Sequence, residues 1–166
     1  WFFVAPLFSN SASASPEEDA DKLKNLFSTG QNYLQSGQFK NALSLFEEAL
    51  KLSKESGEDN LRNIHILARI GHAQKGLARY EQSIRTYRQV LEVTEGENME
   101  SLSMEILADL GHAYALSKEY DEAINQYSKA LDISRKLGKK KEEAVILNEI
   151  GASYYPVFNY RKAIEF

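Results

Sequence analysis

Residues 110–123 read Leu110-Gly111-His112-Ala113-Tyr114-Ala115-Leu116-Ser117-Lys118-Glu119-Tyr120-Asp121-Glu122-Ala123, and the glycine, the second aromatic and the small residue of this stretch recur along the chain. Gly30, Gly71, Gly111 and Gly151 stand 41, 40 and 40 residues apart. Nine residues after them come Phe39, Tyr80, Tyr120 and Tyr160, and twelve after come Ala42, Ser83, Ala123 and Ala163. Sixteen residues on stand Phe46, Tyr87 and Tyr127, and nineteen on stand Ala49, Val90 and Ala130. Self-similarity at such a period means stacked supersecondary units rather than one irregular domain.

Within each unit the apolar residues recur at three- and four-residue steps, as in Leu43, Phe46, Ala49, Leu50 or Ile106, Leu107, Leu110, Ala113, Tyr114. That spacing is helical, and no alternating strand pattern competes with it. Each unit reads as a first helix containing the glycine, a short break, and a second helix opened by the aromatic. The breaks are Gly37-Gln38, Ala78-Arg79, Lys118-Glu119 and Phe158-Asn159. Glycine inside a helix costs about 1 kcal/mol relative to alanine, so its return in one phase implies an offsetting gain. Close contact between the two helices supplies it, with Ala42, Ser83, Ala123 and Ala163 expected to face the glycines, and with the aromatics filling the space between one pair and the next. A lone helix pair cannot bury its apolar face, so the units must stack. The expected repeats span about 20–57, 58–97, 98–138 and an incomplete 139–166. Phe166 falls inside the expected second helix of the fourth unit, so the array is expected to continue, and an uncovered end there would favour self-association.

Residues 1–15 differ from the rest of the chain. Trp1 to Phe8 is an apolar run, Ser9 to Ser15 is small or polar, and no charge precedes Glu17. The run is far shorter than the roughly 20 residues that span a bilayer. Ala12-Ser13-Ala14 has the small-x-small form of a signal-peptidase site, so residues 1–14 read as the back half of a secretory signal. The mature protein is then expected to be secreted or periplasmic, without a membrane anchor; if the segment is no signal, it is cytoplasmic. Ser15, Pro16 and Glu18 form a helix start, with a hydroxyl cap, a proline where its missing N–H costs nothing, and a glutamate three residues past the cap. The folded array is expected over residues 16–166.

Composition narrows the function classes. The 166 residues are 43% hydrophobic and 27% charged, which suits a chain with a real core. A net charge of -4 gives no electrostatic ground for nucleic-acid binding. The one basic run, Lys139-Lys140-Lys141, follows Gly138 and reads as a solvated turn between helices. Having no cysteine excludes disulfides, thiolate metal sites and a cysteine nucleophile within these residues.

The pattern of Gly30, Gly71, Gly111 and Gly151, of Tyr33, Tyr114 and Tyr154 three residues after a glycine, and of the aromatics and alanines of the second helices resembles the tetratricopeptide repeat family. Gln74 and Ser83 depart from it in the second unit. The family's usual period is about 34 residues; the longer period here is similar to that of kinesin light chains, spindle-orientation adaptors and many bacterial multi-repeat proteins. The resemblance covers residues 20–166 and implies an all-α, right-handed superhelical solenoid of antiparallel helix pairs, with three full repeats and a truncated fourth. It also implies that the first helices line a concave groove for a peptide or partner protein. By phase, that groove should present Phe27, Gln31 and Leu34, then His65, Arg69, His72 and Lys75, then Glu105, Asp109 and His112, then Asn148, Glu149 and Tyr155. Basic residues gather in the second unit and acidic ones in the third and fourth, a gradient that would orient an extended peptide. Family members that clamp chaperone carboxylates use lysine and asparagine at set places. Phe27, Ala68 and Ala108 stand where the first lysine would, so that activity is not expected.

His65, His72 and His112 share the expected groove with Glu105 and Asp109, but are read as solvated or peptide-contacting side chains, with no metal and no cofactor expected. No phosphate-binding loop, nucleophile elbow or His-Glu-x-x-His motif is present. The expected function is therefore protein–protein interaction without catalysis by these residues. The alternative is a sensor or substrate-docking region of a longer enzyme, such as the caspase-like peptidases that follow similar bacterial arrays.

Overall fold

The computed structural model describes residues 15–57, 60–94 and 99–155, and these form seven α-helices in chain order. They are α1 (Pro16–Gln35), α2 (Phe39–Glu55), α3 (Asn60–Gly76), α4 (Tyr80–Thr94), α5 (Glu100–Leu116), α6 (Tyr120–Lys136) and α7 (Lys140–Tyr154). The apolar segment at residues 1–14 and the second helix expected for the fourth unit, with Tyr160 and Ala163, lie outside the described residues.

The start of α1 follows its sequence. Glu18 N–H donates to Ser15 Oγ at 3.2 Å and Ser15 N–H donates to the Glu18 carboxylate at 2.8 Å, a reciprocal capping box. Each consecutive pair of helices packs together, so α1/α2, α3/α4 and α5/α6 are the full units and α7 opens the fourth. Phe39, Tyr80 and Tyr120 are the first residues of α2, α4 and α6, where the period placed them. Ala42, Phe46, Ala49, Tyr87, Val90, Ala123, Tyr127 and Ala130 are buried almost completely, so the repeat signature is the core.

The sequence reading set the small residue of the second helix against each glycine. The structure sets an aromatic ring there as well. A Cβ built on Gly30 would lie 2.8 Å from the Phe46 ring, one on Gly71 2.7 Å from Tyr87, and one on Gly111 2.8 Å from Tyr127. Each glycine is thus the floor on which the ring sixteen residues later rests. The other aromatic of the unit works between units, since Phe39 of α2 lies against Gly76 of α3.

The departures of unit two are absorbed locally. Ser83 Oγ donates to the Gly71 carbonyl at 2.8 Å, so the serine in the alanine position is paired. Gln74, in the tyrosine position, accepts from Thr86 Oγ1 at 2.8 Å. In unit three the tyrosine is kept, and Arg88 from the preceding unit donates to Tyr114 Oη at 2.5 Å.

The fan of helices sets the shape of the array. The first helices α1, α3, α5 and α7 touch one another from unit to unit, whereas α2, α4 and α6 make no such contacts among themselves. The first helices therefore crowd on the inner side of the curve and the second helices spread on the outer side.

Candidate functional site

The inner face carries two clefts. The first, about 770 Å³, lies between α1 and α3, where Leu23, Phe27 and Ile66 supply apolar walls and Asp21, Lys24, Gln31, Arg62, His65 and Arg69 the polar ones. Phe27 is held by an edge-to-face contact with Phe46, ring centroids 5.7 Å apart. The second, about 470 Å³, is lined by α3, α5 and α7 through Arg69, His72, Glu105, Asp109, His112, Lys141, Glu142, Val145 and Glu149, with Tyr127 of α6 reaching it from behind. Arg69 lines both clefts, so they form one continuous face.

Of the residues singled out from sequence, Gln31, His65 and Arg69 line the first cleft, and Arg69, His72, Glu105, Asp109, His112 and Glu149 the second. Phe27 is in the first cleft too. Lys75 is placed differently: it is buried, and its Nζ donates to Asp109 Oδ1 at 2.6 Å, tying α3 to α5 beneath the face. Leu34 packs against the core shared by α1, α2 and α3, while Asn148 and Tyr155 are exposed and line neither cleft.

Lys24, Arg62, Lys141, Val145 and Tyr127 were not singled out from sequence as groove residues. Helical spacing could have found four of them. Lys24 and Arg62 lie seven residues before Gln31 and Arg69, and Lys141 and Val145 lie eight and four before Glu149, which keeps each on its partner's face. Tyr127 carries no such signal, because its phase marks it only as core.

Charge divides the face. Lys24, Arg62 and Arg69 outnumber Asp21 in the first cleft, while Glu105, Asp109, Glu142 and Glu149 outnumber Arg69 and Lys141 in the second. His72 and His112, which line the second cleft, are held toward the neutral form. Burial lowers the pKa of His72, with Lys75, Arg69 and His112 pushing the same way against Asp109. Burial likewise lowers that of His112, assisted by Lys75 and opposed by Glu149 and Asp109. Burial drives the Tyr87 and Tyr127 hydroxyls far above the ordinary phenol value, so both stay protonated. Neither makes a hydrogen bond of normal geometry, although Tyr87 neighbours Asp109 and Tyr127 neighbours Glu149. Among the described residues no cluster of histidine and carboxylate side chains could hold a metal ion, and no helix is long and apolar enough to cross a membrane.

These elements define an all-α helical-repeat solenoid with an open inner face. The tetratricopeptide repeat model matches residues 25–96 and 102–166, and the chain belongs to that family. Tetratricopeptide arrays are in general scaffolds for protein–protein contact rather than enzymes. No curated protein matches the chain. Among solved structures it is similar to aspartyl phosphate phosphatase F from Bacillus subtilis, at 18% identity and TM-score 0.80 over 87% of this chain and 38% of that one. It is similar to the apo form of RapI, at 21% identity and TM-score 0.77 over 89% of this chain and 41% of that one. A putative kinesin light chain from Podosopora anserina, with nearly identical repeats, aligns at 16% identity and TM-score 0.76, covering 92% of this chain and 73% of that one. The chain thus spans well under half the length of the first two, and these likenesses speak to the fold.

Proposed function

We propose that the inner face of α1, α3, α5 and α7 binds an extended segment of a partner protein. The observation that carries the reading is the continuity of the two clefts through Arg69, together with their opposite charge balance. First helices of neighbouring units stand about 10 Å apart and an extended chain rises about 3.3 Å per residue, so the path from α1 to α7 accommodates about nine residues. The first cleft takes an apolar side chain beside acidic neighbours. The array itself performs no chemistry, and its contribution is to hold the segment in place. The arrangement suits this role because the groove side chains stand on helices whose stability comes from the opposite, buried stripe.

Arg69→Glu tests the proposal. Arg69 is only half-buried and forms no salt bridge among the described residues, so its reversal is expected to change stability by no more than about 0.5 kcal/mol. Partners recovered on the native chain from its source extract are expected to bind the variant more weakly, through slower association, with a difference that shrinks as salt rises. Undiminished binding by a well-folded Arg69→Glu chain would overturn the groove.

A further inference from the structure

The inner end of the second cleft has a chemistry that its own residues do not satisfy. Asp109 is already engaged by Lys75. Glu105, Glu142 and Glu149 line the same cleft and form no salt bridge among the described residues. Two cations remain to face them, Arg69 and Lys141. Lys141 sits in the first turn of α7, eight residues from Glu149; at 1.5 Å per residue that is about 12 Å along the helix. Glu149 therefore meets His112, neutral at physiological pH, and the Tyr127 hydroxyl instead of a cation.

Tyr127 is the independent observation. The residue is 1% exposed, it lines the cleft, and its hydroxyl is buried without a hydrogen-bond partner. A buried hydroxyl left unpaired is costly, and native structures seldom leave one unless something else completes it. The Glu149 carboxylate beside it can take its proton, which leaves the oxygen's lone pairs open to an incoming donor. A phenol can accept one N–H hydrogen bond while donating its proton to the neighbouring carboxylate. An arginine guanidinium or a lysine ammonium offers several donors and a positive charge, and it would satisfy the Glu149 carboxylate and the Tyr127 oxygen together.

We infer that this end of the cleft, formed by Glu149 and Tyr127 in a cleft that Glu105 also lines, is a subsite for a basic side chain of the bound protein segment. The inference rests on the groove reading and adds a register to it. An acidic or apolar stretch of the partner lies over α1 and α3, and a basic residue follows over α5 and α7. His72 and His112, held toward the neutral form, add no competing charge to the subsite, and the Lys75–Asp109 bridge beneath ties α3 to α5.

Three small probes stand in for the unidentified partner: the amides of N-acetyl-arginine, N-acetyl-citrulline and N-acetyl-glutamate, titrated into the isotope-labelled chain and followed by NMR. The arginine amide is expected to shift the resonances of Glu105, His112, Tyr127 and Glu149. Citrulline, of equal length without charge, is expected to shift them at least about fivefold less, and glutamate not at all. Glu149→Gln, which keeps the shape of the side chain, is expected to weaken the arginine response by a similar factor. Tyr127→Phe is expected to weaken it without lowering the thermal midpoint. Silence of these resonances toward arginine, or an equal response to citrulline, would overturn the subsite. Failure of the groove looks different. A partner whose binding falls with Arg69→Glu beside a cleft silent to arginine keeps the groove and removes the subsite. An arginine-responsive cleft with a partner indifferent to both Arg69→Glu and Glu149→Gln keeps the subsite and removes the groove.

Discussion

At the scale of single residues the array is held by glycines that leave room for rings. The sequence period located Gly30, Gly71 and Gly111 and assigned their compensation to close helix contact faced by the small residues, whereas the rings of Phe46, Tyr87 and Tyr127 lie there too. Helix phase alone could not tell whether the small residue or the ring of the second helix would sit over the gap, since both face inward. The structure makes the consequence testable: a leucine in place of Gly111 would run into the Tyr127 ring, which is buried and has nowhere to retreat. Gly111→Leu is expected to cost about 1–3 kcal/mol or more by overpacking, whereas Lys129→Leu on the exposed face of α6 should lie within about 0.5 kcal/mol of the native chain. Equal denaturation midpoints for the two variants would refute the contact. His72 supplies a second prediction. Its folded pKa lies below the ordinary histidine value of 6.5 because burial disfavours the charged ring. The unfolded chain therefore takes up a proton that the folded one resists, and the His72 contribution to stability is present above pH 6.5 and is lost as pH falls through the folded pKa. Thermal melts at about pH 7.5 and about pH 5 should show a larger drop for the native chain than for His72→Gln; identical drops would contradict the assignment.

At the scale of helices, the ends show what composition could and could not announce. Ser15 and Glu18 declared the start of α1 by residue type, and the capping box is there. The ends of α1, α3 and α5 share one geometry on unlike residues. Gly37, Ala78 and Lys118 occupy the same place in their units and all have positive φ, at 74°, 56° and 67°. The hydrogen bonds match too, with Gln38 N–H to the Tyr33 carbonyl, Arg79 N–H to Gln74 and Glu119 N–H to Tyr114 closing each helix. Only the first of these turns was legible as glycine. The other two are imposed by the repeat, which must return the chain at the same angle whatever residue stands there. A left-handed backbone costs a non-glycine residue about 1–2 kcal/mol, partly offset by the greater entropy glycine loses on folding. Ala78→Gly and Lys118→Gly are thus expected to stabilise the chain by about 0.5–1 kcal/mol each, additively because the sites lie in different units. Chemical denaturation of the two single variants and the double variant measures this, and destabilisation by either would show that the turn is not strained.

At the scale of the whole molecule, the account separates what folds the array from what it presents. The periodic residues build the core. The aperiodic ones, His65, Arg69, Glu105 and Glu149, stand on the inner face and differ from unit to unit. That division was visible in the sequence because a repeat exposes its non-repeating positions. It misplaced Lys75, since a long-range pairing with Asp109 in the next unit draws the lysine under the surface, and no period encodes such a partner. It also missed Tyr127, a core residue that lines the second cleft as well. The claim on which the functional account turns is that partners use the inner face. The direct measurement is photo-crosslinking with p-benzoylphenylalanine placed either at Gln31, in the first cleft, or at Arg85, exposed on the outer helix α4. Both chains are irradiated in the same native extract. The account expects a discrete partner adduct from the Gln31 position and none from Arg85; adducts from Arg85 with none from Gln31 would contradict it.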